Sequence, residues 1–181
     1  MKMGWFEKHF VNSAGHSQRV AEHAERLVRL ADPRPGQRLL DVGCGNGAAP
    51  VHLARTFGLE ATGVDVDPEQ IEAAKTHAGG FERASFLVGD TTSLPFEDGA
   101  FDLVFTNKVT HHVPDWQGAL AEMARVLKPG GHLVYSDFVA PFGERLPTRR
   151  ALDRFATERK LNVVRRSRSP FHYTGVFGKP A

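Results

Sequence analysis

The chain has 181 residues, 41% apolar and 24% charged, the composition of an ordinary soluble globular protein with a core of its own. Its one cysteine excludes a disulfide framework and a cysteine-based zinc site, and no apolar run reaches the roughly 18 residues of a membrane span. The net charge of +2 hides an asymmetry: residues 145–181 hold 10 Lys/Arg against 2 Asp/Glu, and residues 1–144 hold 13 against 19.

Met1–Gly15 is aromatic-rich (Trp5, Phe6, Phe10), and Met1–Phe10 lacks the long apolar stretch of a secretory signal, so a reducing, cytoplasmic setting is the expectation. Over His16–Ala31, Val20, Ala24, Leu27, Val28 and Ala31 fall on one helical face, and Asp32-Pro33-Arg34-Pro35-Gly36 stops that helix. Arg38–Val42 reads as a strand, Gly43–Gly47 as a glycine loop, and Ala48–Phe57 as a helix that tolerates Pro50 in its first turn. Ala61–Val66 is a second strand. Asp67-Pro68-Glu69-Gln70 then offers an N-cap, a first-turn proline and a capping-box glutamine. Ser85–Gly89 and Phe101–Thr106 are further strands, and Asp115 caps a helix to about Leu127 that Lys128-Pro129-Gly130-Gly131 ends before the strand His132–Phe138.

A helix around Thr148–Arg159 leads to Leu161–Arg166 and Phe171–Phe177, two strands whose short connection makes an antiparallel hairpin. The alternation predicts an α/β fold: a mostly parallel sheet with helices on both faces. We expect a single domain over residues 1–181, with a helical cap at 1–31 and the core at 38–181.

The chemistry begins at Leu39-Leu40-Asp41-Val42-Gly43-Cys44-Gly45-Asn46-Gly47. Glycines at alternate positions after a strand let the backbone turn sharply and approach a ligand. Asp65, some 20 residues past Gly45, sits where a carboxylate accepts hydrogen bonds from a ribose diol. Gly43, Gly45 and Ala48 satisfy the spacing of a nicotinamide-dependent dehydrogenase, so the glycines alone do not discriminate. Asp41 does: a carboxylate before the loop repels a pyrophosphate, which needs bare helix-terminal amides, and suits the positive sulfonium and amino group of S-adenosylmethionine (SAM). Cys44 reads as a small residue fitting a crowded turn. His111 and His112 follow the fourth strand, where either is a candidate general base or a mere loop former. His16 and His23 share one helical face seven residues apart, but with no third ligand evident no metal is expected.

Four ordered blocks carry a resemblance: Leu39–Gly47; Gly63-Val64-Asp65-Val66-Asp67; Gly89–Phe96 with Phe101-Asp102-Leu103-Val104; and Leu127–Leu133. The chain resembles a class I SAM-dependent methyltransferase of the type 11-like group that includes ubiquinone- and menaquinone-biosynthesis enzymes. The resemblance implies a Rossmann-like seven-stranded sheet in the order 3-2-1-4-5-7-6 with strand 7 antiparallel. It implies that Asp41 and the Gly43–Cys44–Gly45 turn face the methionine end of SAM, Asp65 the ribose, and Val66 the adenine. Asp90 would accept from the adenine amino group with Thr91 beside it, and Asn107 would close the site near the sulfonium. Methyl transfer is then an in-line displacement in which alignment and exclusion of water matter most.

Asn107-Lys108-Val109-Thr110 lacks the Asn/Asp-Pro-Pro-Tyr/Phe pattern of nucleobase amino methylation, which disfavours nucleic acid as the partner. A small organic metabolite is the leading acceptor, bordered by Trp5, Phe6, Phe10, His16 and His111, and the Arg149–Arg168 region favours an anionic one. Only some 20 residues separate the fifth strand from the sixth. So short a lid leaves an open site, a homodimer that completes it, or a larger acceptor. The rival readings are a SAM-binding regulatory or scaffold protein without turnover, and a nicotinamide-dependent oxidoreductase.

Overall fold

The structure, a computed structural model, describes residues 14–140, 146–167, 169 and 171–181. Its strands are β1 (Arg38–Val42), β2 (Glu60–Asp65), β3 (Ala84–Val88), β4 (Phe101–Asn107), β5 (Leu127–Phe138), β6 (Asn162–Arg166) and β7 (His172–Gly178). Its helices are α1 (Ala14–Val28), α2 (Ala48–Phe57), α3 (Pro68–Ala78), α4 (Trp116–Val126) and α5 (Arg149–Glu158). The strands form one sheet in the order β3-β2-β1-β4-β5-β7-β6, the order the resemblance implies. All neighbours are parallel except β7, which runs antiparallel to both β5 and β6. No helix among the described residues is long and apolar enough to cross a membrane.

Alternation along each strand feeds two cores. Leu40, Val104, Leu133 and Tyr135 pack against α4 and α5 through Leu120, Met123, Leu152 and Phe155. Their neighbours Leu39, Leu103 and Val134 point the other way, against Ala24 and Val28 of α1 and Leu53 of α2. Strands covered on both faces need near-continuous apolar sequence. Within β1, buried from Leu39 to Val42, Asp41 breaks that rule at 2% exposure. The sheet order reverses direction between β1 and β4, so a crevice opens beyond their carboxyl ends, where ligands of open α/β sheets bind.

Local chemistry sets the helix ends, with three departures from the sequence reading. The first helix does not run regularly to Ala31: α1 stops at Val28 and one 3₁₀ turn, Arg29–Ala31, follows. The expected capping box at α3 does not form. Asp67 caps by accepting from the Glu69 amide at 3.0 Å, and Gln70 is instead 1% exposed, turned inward toward Gly45. The Lys128–Gly131 segment is no turn outside the strand. α4 passes straight into β5, whose pairing jumps from Phe101–Leu127 to Leu103–His132, so proline and glycines sit in an irregularity of the ladder. Pro129 has no N–H to give a ladder, and a bulge is where a strand tolerates it.

Candidate active site

The loop between β1 and α2 is built around Gly43. Its φ of +77° suits glycine, and its amide and that of Cys44 both donate to the Val64 carbonyl, at 2.8 and 3.0 Å. A side chain at Gly43 would overlap Val109 from the segment after β4, so the loop and that segment touch backbone to side chain. Cys44 is buried, with Sγ beneath Gly63, and burial pushes its thiol far above the usual range. A buried thiol held in its neutral form is a poor nucleophile.

Asp41 lies under this turn. No hydrogen bond or ion pair from a described residue reaches its carboxylate, and burial first, then the nearby Asp65 charge, pushes its pKa up to about 8. The Asn107 Oδ1 and Gln70 Oε1 atoms are likewise buried without a partner among the described residues. An uncompensated buried carboxylate beside an unsatisfied carbonyl oxygen makes an electronegative cradle, complementary to a cation that donates hydrogen bonds.

Asp65, at the end of β2, orders the loop itself. Its Oδ2 accepts from the Gly45 amide at 2.9 Å and its Oδ1 from the Asp67 amide at 3.0 Å. Each oxygen keeps a further lone pair directed outward. Beside it Val66 is 61% exposed, an apolar surface next to a polar one. Asp90 follows β3; it accepts from both the amide and the hydroxyl of Thr92, which hold its carboxyl below the usual range. Thr91 is buried next to it. The expected cofactor residues therefore gather along the carboxyl ends of β1, β2, β3 and β4.

On the β4–β5 side the sequence reading missed the main feature. Asp137, 1% exposed near the end of β5, accepts four hydrogen bonds: from His111 Nδ1 at 2.6 Å, the Phe138 amide at 2.7 Å, the Thr110 hydroxyl at 2.7 Å and the His111 amide at 3.2 Å. Thr110 gives its proton to Asp137, so Tyr135, 2.7 Å away, donates to Thr110. A carboxylate only accepts, so His111 donates from Nδ1 and its Nε2 takes no part in the Asp137 contact. His112 lies against His111 with ring centroids 3.8 Å apart. The signal was available: an acid three residues past Val134 in an apolar strand is a buried charge that needs a partner.

The ring of Phe138, 42% exposed, meets His111 edge-on at 5.1 Å and His172 edge-on at 5.6 Å, and the Lys108 ammonium stands 5.5 Å over it. His172 shares a 2.9 Å hydrogen bond with Ser136. His16 and His23 lie on one face of α1; burial lowers the pKa of each, followed by Arg19 and Lys108 for His16, and by Arg26, Lys108 and His172 for His23. Asn46 ties α1 to the glycine loop by donating to Ser17 at 2.9 Å. The expected acceptor residues Trp5, Phe6 and Phe10 lie outside the described residues.

A family profile described as a methyltransferase domain matches residues 40–135. The chain is 35% identical over 130 residues to the 27-O-demethylrifamycin SV methyltransferase of Amycolatopsis mediterranei, covering 70% of this chain and 48% of that protein. It is 36% identical over 127 residues to norajmaline N-methyltransferase of Rauvolfia serpentina, covering 67% of this chain and 44% of that protein. It thus spans about half the length of these curated relatives. A solved structure of a SAM-dependent methyltransferase from Aquifex aeolicus shares the fold with a TM-score of 0.79 and 18% identity, over 98% of this chain and 99% of that one. The matched segment runs from the strand that carries Asp41 to the one that carries Tyr135, and on that ground the chain belongs to the methyltransferase-domain family, the class I SAM-dependent methyltransferases.

Proposed function

We propose that this chain transfers the methyl group of SAM to an oxygen of a small organic acceptor, with His111 as the general base. The observation that carries the reading is the Asp137–His111 contact at 2.6 Å from a carboxylate that is itself fully hydrogen-bonded. The cofactor is SAM, and the residues present fit it. Asp41, buried without a cation, complements the ammonium and sulfonium, and Asn107 has an unsatisfied oxygen beside it. Asp65 retains lone pairs for the ribose diol, Val66 supplies an apolar face for adenine, and Asp90 and Thr91 border it.

When bound, SAM supplies a methyl group activated by a positively charged sulfur. The chain's own residues do the rest. Asp137 fixes the His111 tautomer, so Nε2 accepts the proton of an acceptor O–H as its oxygen attacks. The resulting imidazolium stays paired with Asp137. A neutral amine carries a free lone pair and needs no base before attack, whereas a hydroxyl gains from one. A carboxylate-backed histidine therefore favours oxygen where the relatives' names include both O- and N-methylation. His112 buttresses the base by ring contact.

The test is a screen of hydroxylated acceptors followed by His111→Ala and Asp137→Asn kinetics. We expect kcat to fall about 10²–10⁴-fold in His111→Ala, with S-adenosylhomocysteine binding by calorimetry unchanged, and the pH–rate profile to move in Asp137→Asn. Full turnover by His111→Ala would overturn the assignment of the base. Loss of cofactor affinity in Asp65→Ala, against retention in His111→Ala, separates the two halves of the site.

A further inference from the structure

Lys108 is one of three non-glycine residues in the left-handed region among the described residues, with φ +58°. Its amide donates to the Ser136 carbonyl at 2.7 Å, which pins this conformation to the end of β5. The strained backbone aims an exposed ammonium over the Phe138 ring rather than along the sheet edge. No carboxylate among the described residues pairs with it, whereas Lys75 and Lys128 each contact one at 2.8 Å. Around the same ring stand His111 and His172, and His23 of α1 feels the charges of both Lys108 and His172. A cation and imidazoles on an exposed aromatic platform form a receptor for a negative group attached to an apolar body.

We infer that Lys108, standing over Phe138, binds an anionic group of the methyl acceptor, so that this site selects acceptors carrying a carboxylate or phosphate near the nucleophilic oxygen. The inference rests on the acceptor reading above and deepens it. Lys108 supplies the fixed charge, and the ring N–H groups of His172 and His23 supply adaptable donors. His111 stays free to take the acceptor proton, because its Nδ1 is committed to Asp137. A ring lying on Phe138 would keep its anionic substituent at Lys108 and its hydroxyl toward His111.

The test uses the full chain, with and without S-adenosylhomocysteine, titrated with benzoate, phenyl phosphate and neutral benzamide while the histidine ring signals are followed by NMR. We expect benzoate or phenyl phosphate to shift His23 and His172 and to bind at least about tenfold more tightly than benzamide, the size of one charge-assisted hydrogen bond. Which of the two anions binds better names the acceptor's charged group. Lys108→Met should weaken the anions about tenfold and Lys108→Arg should retain them, both with S-adenosylhomocysteine affinity unchanged. Equal binding of benzamide and the anions, or anion affinity untouched by Lys108→Met, overturns the proposal. Failure of S-adenosylhomocysteine to bind, with a Lys108-dependent anion response intact, would instead refute the cofactor reading and leave the anion site standing.

Discussion

Gly43 carries more of the site than any polar residue near it. Its φ of +77° and its contact with Val109 are independent reasons for a hydrogen at this position. Gly43→Ala should destabilise the fold by about 1–3 kcal/mol, part from backbone strain and part from the overlap. Adding Val109→Ala removes the overlap alone, so the double variant should recover part of that loss in urea melts. No recovery would show that the backbone conformation accounts for all of it. Cys44 teaches the complementary lesson: a reactive residue type inside a ligand loop is here a buried filler beneath Gly63.

Between elements, the joint that matters is the one from α4 to the β3–β4 segment that bears Asp90 and Thr91. Arg125 on α4 directs its guanidinium to the Leu94 and Phe96 carbonyls, to Asp98, and to both oxygens of Glu122, in five bonds of 2.7–3.0 Å. Glu122 in turn accepts from the Leu94 amide at 2.9 Å. A planar fork with every N–H used is not replaceable by a lysine. Arg125→Met and Arg125→Lys should both raise the SAM dissociation constant, by about tenfold, through a loosened segment, and cost about 2 kcal/mol of stability. Hydrogen exchange over residues 89–96 should rise in both while kcat at saturating cofactor changes little. Unchanged exchange there would show that the segment is held by other contacts.

Across the whole molecule, the buried Asp41 makes stability depend on pH. Its carboxyl titrates at about 8 when folded and at about 3.9 when unfolded. Between these values the folded state holds the extra proton, so stability falls as pH rises through the window. The shift corresponds to a penalty on the order of 5 kcal/mol for ionising the group, more than one hydrogen bond of about 1 kcal/mol offsets. Thermal melts of Asp41→Asn should lose this slope and lie above the native protein near pH 8. In the native protein SAM affinity should increase from pH 6 to pH 8, because a bound cation favours the ionised form and expels the proton. Parallel melting curves for the two proteins across that range would refute this account of Asp41.

The order of elements, the glycine turn and the acids Asp41, Asp65 and Asp90 were legible in the sequence because they depend on local rules: alternation, helix caps and a motif of fixed spacing. The sequence limits failed where tertiary pairing overrode local preference, as when the Pro-Gly-Gly segment was drawn into β5 as an irregularity and Gln70 turned inward instead of capping α3. His111 was visible as a candidate, but the contact that orients it was not, since its carboxylate partner lies 26 residues away on β5. His16 and His23 share a helical face in the sequence, and only the folded α1 brings both under the influence of the Lys108 charge. Chain-local chemistry thus determined the fold and the residues proposed for the cofactor end of the site. The proposed acceptor end was assembled only by folding, because its groups come from the ends of β4, β5 and β7, and no spacing along the chain records which strand ends become neighbours.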